Sequence, residues 1–210
     1  MKRATSETIS SLCKTPVIPV LQVRDETEAV NISRALFEGE LPVVEITFRT
    51  PPAAKAIAAV VRELPQMIVA AGSIKNARQM HTAKNAGARF AVSPGATDEL
   101  LAAAAILPLL PGAATASEIM RLLARGFSFV KFFPAAASGG VSALKSFYGP
   151  LPEARFCPTG GITEKTAAEY LALPNVKCVG GSWLAADGDS PETIYEKAKR
   201  AARLAAECSE

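Results

Sequence analysis

Hydrophobic and polar positions alternate in blocks along this chain. Short runs rich in β-branched and aromatic residues end in Gly, Pro or Thr, and each is followed by an Ala-, Leu- and Glu-rich stretch with apolar positions at helical spacing. The pattern predicts strands over 17–23, 43–49, 67–72, 90–93, 107–110, 128–133, 155–158 and 177–180. Helices are expected near 25–38, 51–63, 75–86, 97–105, 115–125, 140–147 and 163–171. A last helix starts at Ser190-Pro191, an N-cap followed by a favoured first helical residue, with Ile194, Ala198, Ala201 and Ala205 on one stripe. A further helix around 6–13 precedes the first strand. Eight successive βα units with no break in composition predict an α/β chain folded as one (β/α)8 TIM barrel with an extra N-terminal helix, a single domain over 1–210. The first turn, Gln22-Val23-Arg24-Asp25, lacks the glycines of an open, doubly wound nucleotide-binding sheet.

Composition narrows the function. Of 210 residues, 49% are hydrophobic and 20% charged, which excludes a disordered chain. The balance of 23 Lys+Arg against 20 Asp+Glu, net +3, argues against a nucleic-acid partner. No apolar run approaches the roughly 18 residues of a spanning helix, and the N-terminus has no apolar signal core, so no membrane is expected and the cytoplasm is the expected location. Cys13, Cys157, Cys178 and Cys208 are widely spaced and read as reduced thiols. The one histidine, His81, lies mid-helix, which leaves no His triad. Carboxylates are scattered without ligand spacing, so neither a metal nor an organic cofactor is expected.

Chemistry in a barrel sits at the carboxyl ends of its strands, so a polar side chain within an apolar strand is informative. Lys131 lies in Phe127-Ser-Phe-Val-Lys131-Phe-Phe133-Pro134, with Phe129, Lys131 and Phe133 on one face and Val130 and Phe132 on the other. A buried ammonium is either paired or becomes an amine of lowered pKa, the nucleophile that imine chemistry on a ketone requires. In Val43-Val-Glu45-Ile-Thr47-Phe-Arg49-Thr50, the set Glu45, Thr47 and Arg49 faces the barrel interior and Val44, Ile46 and Phe48 face the helices. Glu45 can pair with Lys131 or act as general acid/base. Arg49, about 13 Å further along the strand, can clamp a carboxylate at the mouth. A charge cluster of Glu45, Lys131 and Arg49 without any chemistry predicts the same contacts.

Two glycine-rich strand ends follow: Cys157-Pro-Thr159-Gly160-Gly161-Ile-Thr163 and Val179-Gly180-Gly181-Ser182-Trp183. Barrels build phosphate sites from loop amides and a helix N-terminus at the last two strands, where glycine lets the backbone approach the anion and Ser182 adds a hydroxyl. Tight turns alone would account for a single pair. Ser73 closes the third strand with its hydroxyl at the mouth. Pro94-Gly95 and Pro111-Gly112 read as strand terminators, Trp183 as packing or loop wall, and Ala137-Ser138-Gly139-Gly140 as a further source of amides.

These motifs, with Arg155-Phe-Cys-Pro-Thr-Gly-Gly-Ile162 and Gly180-Gly-Ser-Trp-Leu184, resemble those of the 2-keto-3-deoxy-6-phosphogluconate (KDPG) aldolases, class I lyases of the Entner–Doudoroff pathway of carbohydrate metabolism. The resemblance runs in order from about Ser6 to the C-terminal helix. It implies a Schiff base between Lys131 and the ketone of pyruvate or substrate, with Glu45 as the general acid/base. It implies that Arg49 and Ser73 hold the pyruvate carboxylate with Pro94 nearby, and that Gly160, Gly161, Gly181 and Ser182 hold the phosphate. Thr159 would read the C4 hydroxyl, because galactonate-specific relatives tend to carry an apolar residue there. The family is usually homotrimeric, acts on phosphorylated keto acids, and in some members also cleaves 4-hydroxy-2-oxoglutarate (KHG). Ser73 departs from the family's usual threonine and Lys75 from a residue that is often apolar. Three rivals remain: an aldolase for the phosphogalactonate epimer, a phosphosugar isomerase or epimerase barrel without an imine, and a non-catalytic phosphosugar-binding barrel.

Overall fold

A computed structural model describes residues 15–207 together with Ile9. The strands are β1 (Val17–Leu21), β2 (Val43–Thr47), β3 (Ile68–Gly72), β4 (Phe90–Val92), β5 (Leu109–Leu110), β6 (Gly112–Ala113), β7 (Phe129–Phe132), β8 (Arg155–Pro158) and β9 (Val179–Gly181). The helices are α1 (Glu26–Glu38), α2 (Ala53–Glu63), α3 (Ala77–Asn85), α4 (Asp98–Ala103), α5 (Ala116–Ala124), α6 (Gly140–Tyr148), α7 (Glu164–Leu171) and α8 (Pro191–Glu207). Every pairing between strands is parallel, as alternation with helices requires. The strands form a six-stranded arc, β5-β4-β3-β2-β1-β9, and a three-stranded arc, β6-β7-β8. Bridges Phe156–Val176 and Thr159–Gly180 tie β8 to the β9 side. The result is a parallel sheet curled like a barrel inside a coat of helices.

The expected fifth strand over 107–110 needs correcting. Pro111 interrupts it without ending it, and the chain resumes as β6 at Gly112. Proline has no N–H to give the ladder, but its carbonyl still accepts from the Lys131 N–H at 2.9 Å. The strand thereby passes from β4 on one arc to β7 on the other, and Lys131 is fixed opposite Gly112.

Alternation along each strand decides which side chains enter the curl. Ile18, Val43, Ala70, Phe90, Phe129, Cys157 and Cys178 form the inner cluster, joined by Ile9. Val44, Ile46, Val130, Phe132 and Phe156 lie in the outer layer against the helices. Side-chain caps hold the starts of several helices, at Asp25, Asn76, Thr97 and Thr115. At α5 the cap is a reciprocal Thr115–Glu118 box. The N–H of Ala114, then the Thr115 hydroxyl and N–H, hold the Glu118 carboxyl below its ordinary pKa. The helix expected over 6–13 lies outside the described residues apart from Ile9. Among the described residues no helix is long and apolar enough to cross a membrane.

Candidate active site

Phe129 and Val43 both lie in the inner cluster, so the same strand parity carries Lys131 and Glu45 inward. The Lys131 Nζ stands 3.5 Å from Glu45 Oε1, and both side chains are only 5% exposed. They reach each other across the curl, from β7 and from β2. The ammonium also lies 5.2 Å from the centroid of the Phe133 ring, within cation–π range. Sequence reasoning placed Phe133 on the face of Lys131 but gave it no role. One cation, one carboxylate and one aromatic ring therefore share a pocket from which most solvent is excluded.

Further toward the mouth, Arg49 lies beyond the end of β2, and its Nε donates to Ser73 Oγ at 2.9 Å. The two expected carboxylate ligands are thus in contact. Ser73 has a left-handed backbone, φ 57°, uncommon for a residue with a side chain. Serine in place of threonine keeps β-branching out of that conformation. Pro94 is exposed beside Gly112, and a Cβ on Gly112 would lie 2.7 Å from Gly95 N and closer still to the Pro94 carbonyl. Lys75 is exposed, with its backbone N–H held by Gln79.

Thr159 continues the inward parity of Cys157 and is buried. Its hydroxyl makes two long contacts, donating to the Cys157 carbonyl at 3.4 Å and lying 4.0 Å from the Cys157 Sγ. Gly160 (φ 100°) and Gly161 (φ 75°) turn the chain out of β8 in a conformation that side chains rarely adopt. The N–H groups of Ala135 and Ala136 donate to the carbonyls of Thr159 and Gly160, locking this turn to the loop after β7. Gly161 and Ser182 are exposed at the strand ends. Gly181 has a second explanation: the Trp183 ring lies against it where a Cβ would stand. Ser182 and Arg49 line one cavity of about 840 Å³, together with Thr47, Arg24 and Asp187. Lys131, Glu45 and the Gly160–Gly161 turn are not part of its lining.

Sequence reasoning gave Gly72 no role and read Gly180 only as part of a glycine pair for the phosphate. A Cβ on Gly72 would meet the Glu45 side chain, and one on Gly180 would meet Thr159. Glycine at the end of an otherwise apolar strand was the available signal, since it marks a close approach.

A parallel, curled α/β sheet with a buried Lys131–Glu45 pair inside it and a glycine turn after β8 defines the barrel-like class of α/β proteins. Comparison with known proteins is more specific. A sequence model of the KDPG and KHG aldolases matches residues 8–196. A 2-dehydro-3-deoxy-phosphogluconate aldolase of Pseudoalteromonas atlantica is 47% identical over 198 residues, 91% of this chain and 92% of that protein. The KDPG aldolase of Zymomonas mobilis, solved with 3-phosphoglycerate, superposes with a TM-score of 0.90 at 40% identity, covering 97% of each chain. That of Legionella pneumophila, solved with pyruvate as a covalent carbinolamine, gives 0.83 at 41% identity, covering 98% of this chain and 96% of that one. This chain belongs to the KDPG and KHG aldolase family. It is therefore a carbon–carbon lyase.

Proposed function

We propose that this protein reversibly cleaves KDPG to pyruvate and glyceraldehyde 3-phosphate through a Schiff base on Lys131, and that KHG is a second substrate. The observation that carries the reading is the enclosed Lys131–Glu45 pair, 3.5 Å apart, in a chain of this family. Curated relatives bear this activity in their names, and pyruvate was captured as a covalent carbinolamine in the Legionella enzyme.

The residues support one sequence of steps. The Lys131 amine, its proton passed to Glu45, adds to the C2 ketone; Glu45 then returns that proton to the departing hydroxyl, and loss of water leaves an iminium beside a carboxylate. The iminium draws the electron pair of the C3–C4 bond as Glu45 accepts the C4 hydroxyl proton. Glyceraldehyde 3-phosphate leaves with its aldehyde at the former C4. Glu45 returns the proton to C3 of the enamine, and water hydrolyses the pyruvate iminium to restore the amine. Arg49 and Ser73 hold the substrate carboxylate, with Pro94 beside them. The amides at Gly160, Gly161 and Gly181, with the Ser182 hydroxyl, hold the phosphate. The (β/α)8 reading of the two arcs as one closed barrel, a homotrimeric assembly and a cytoplasmic location belong to the same proposal.

The direct test is pyruvate release from KDPG, followed by reduction with a coupled lactate dehydrogenase. An isomerase or a binding protein releases none. Ser182→Asp tests the phosphate end, because Ser182 is exposed and the change puts an anion where the phosphate is expected. It should lower kcat/KM for KDPG at least roughly tenfold, about 1.4 kcal/mol, and leave that for KHG, which has no phosphate, nearly unchanged. An equal loss on both substrates would remove Ser182 from the phosphate site.

Thr159→Val tests how the sugar acid is read. Valine is nearly isosteric and keeps the contact over Gly180, so the fold and the imine should persist. KDPG and its galactonate epimer differ at C4, and a polar group that one epimer leaves unpaired tells them apart. That penalty is about 1–3 kcal/mol, roughly 5- to 150-fold. The ratio of kcat/KM for the two epimers should fall by this order in the variant. An unchanged ratio means that C4 is read elsewhere, and the galactonate reading regains its standing.

A further inference from the structure

We infer that Gly72 is a positioning residue for the reaction, the seat that aims the Glu45 carboxylate at Lys131. The inference rests on Glu45 being the proton-transfer group, and it explains how a side chain on β2 comes to bear on an amine across the curl. Glu45 is paired directly with Ala70 on β3, and Gly72 lies two residues further toward the mouth on the same inward face. Strand side chains lean along the strand, so this diagonal neighbour is within reach. The Glu45 side chain uses that reach. A Cβ built on Gly72 would stand 2.6 Å from Glu45 Cγ and 2.7 Å from Cδ, and closer still to Oε1. Oε1 is the atom 3.5 Å from Lys131 Nζ.

The bare Cα is therefore occupied by the functional end of another residue. The backbone of Gly72 does not demand glycine, since it is a regular strand residue outside the left-handed region. Its carbonyl accepts from Phe48 N–H at 2.8 Å, a bond any residue could provide. What requires glycine is the space. Glu45 is only 4% exposed, so a displaced carboxyl has no open solvent to swing into and must change rotamer among packed neighbours.

The test is a double-mutant cycle of Gly72→Ala and Glu45→Ala. Three quantities are read on all four proteins: exchange of the pyruvate methyl protons into deuterium oxide, borohydride trapping of pyruvate on Lys131, and melting temperature. Gly72→Ala alone should slow methyl exchange about 100-fold, at the lower end of what a positioned acid/base contributes, while trapping still runs to completion. In the Glu45→Ala background, where the space is vacated, the same methyl should cost nothing further in exchange or in melting temperature. Equal losses in both backgrounds would show that Gly72 serves the strand and not Glu45, and would overturn the inference. If Gly72→Ala alone does not fold, the double variant decides: a folded protein supports the seat, and an unfolded one removes it. Should Glu45→Ala itself leave methyl exchange intact, the role of Glu45 fails, and that outcome is distinct from additivity in the cycle.

Discussion

Replacing Lys131 by alanine or by arginine is expected to abolish turnover, by more than about 10³-fold, together with all trapping of pyruvate by borohydride. The two substitutions separate chemistry from charge. Alanine removes the ammonium and leaves a buried Glu45 without its partner, and breaking such a pair costs on the order of 3–5 kcal/mol. A loss in Lys131→Ala alone could therefore be a loss of fold. Arginine keeps a cation opposite Glu45 but does not lose its proton in a protein, so it cannot add to a ketone. If the pair were only an ion pair across the curl, Lys131→Arg would keep much of the activity. The imine reading requires it to keep the fold and lose the adduct. Peptide mass mapping of the wild-type protein after reduction should place the pyruvyl group on the segment carrying Lys131. Lys145 and Lys165 are exposed and offer themselves as artefactual targets. An adduct confined to either of them would sink the assignment.

The parts of this site that were legible in the sequence are those set by position within a single strand. A lysine flanked by phenylalanines and a glutamate flanked by valine and isoleucine stand out because alternation fixes which face they occupy, and burial of a charge is rare without a use. The strand and helix sequence was legible for the same reason, since periods of two and of 3.6 are local properties. Contacts set by strand register or by side-chain rotamer were not. That Arg49 reaches Ser73 depends on the register of neighbouring strands, and that Phe133 covers the Lys131 ammonium and Trp183 sits on Gly181 depends on the rotamers of side chains two residues apart, which alternation does not fix. Pro111 was misread because a proline in a strand usually ends it. Here it falls where the strand changes partners, and its missing N–H matters least there. The seats of Glu45 over Gly72 and of Thr159 over Gly180 were missed because an empty position is informative only once the side chain that fills it is known.

Glutamine at position 45 is expected to slow cleavage of KDPG by about 10²–10⁴-fold, the usual contribution of a positioned acid/base. It should slow exchange of the pyruvate methyl protons by the same order. Glutamine matches glutamate in shape and keeps a carbonyl oxygen for Lys131, so the inner packing and the seat over Gly72 are preserved. What it loses is the capacity to accept and return a proton. Two steps need that capacity once the imine exists: removal of the C4 hydroxyl proton as C3–C4 breaks, and protonation of the enamine at C3. Methyl exchange isolates the second, since pyruvate has neither a C4 hydroxyl nor a phosphate and every exchange event passes through the enamine. Imine formation is affected as well, because the carboxylate 3.5 Å from the ammonium is the nearest acceptor for its proton. The two effects separate in time. With pyruvate and borohydride in excess, Glu45→Gln should still be labelled to completion, only more slowly, whereas exchange measured per molecule of imine stays low however long the incubation. A variant that labels slowly but exchanges normally per imine would assign Glu45 to amine activation alone. Proton transfer at carbon would then have to come from a bound water or from the substrate itself.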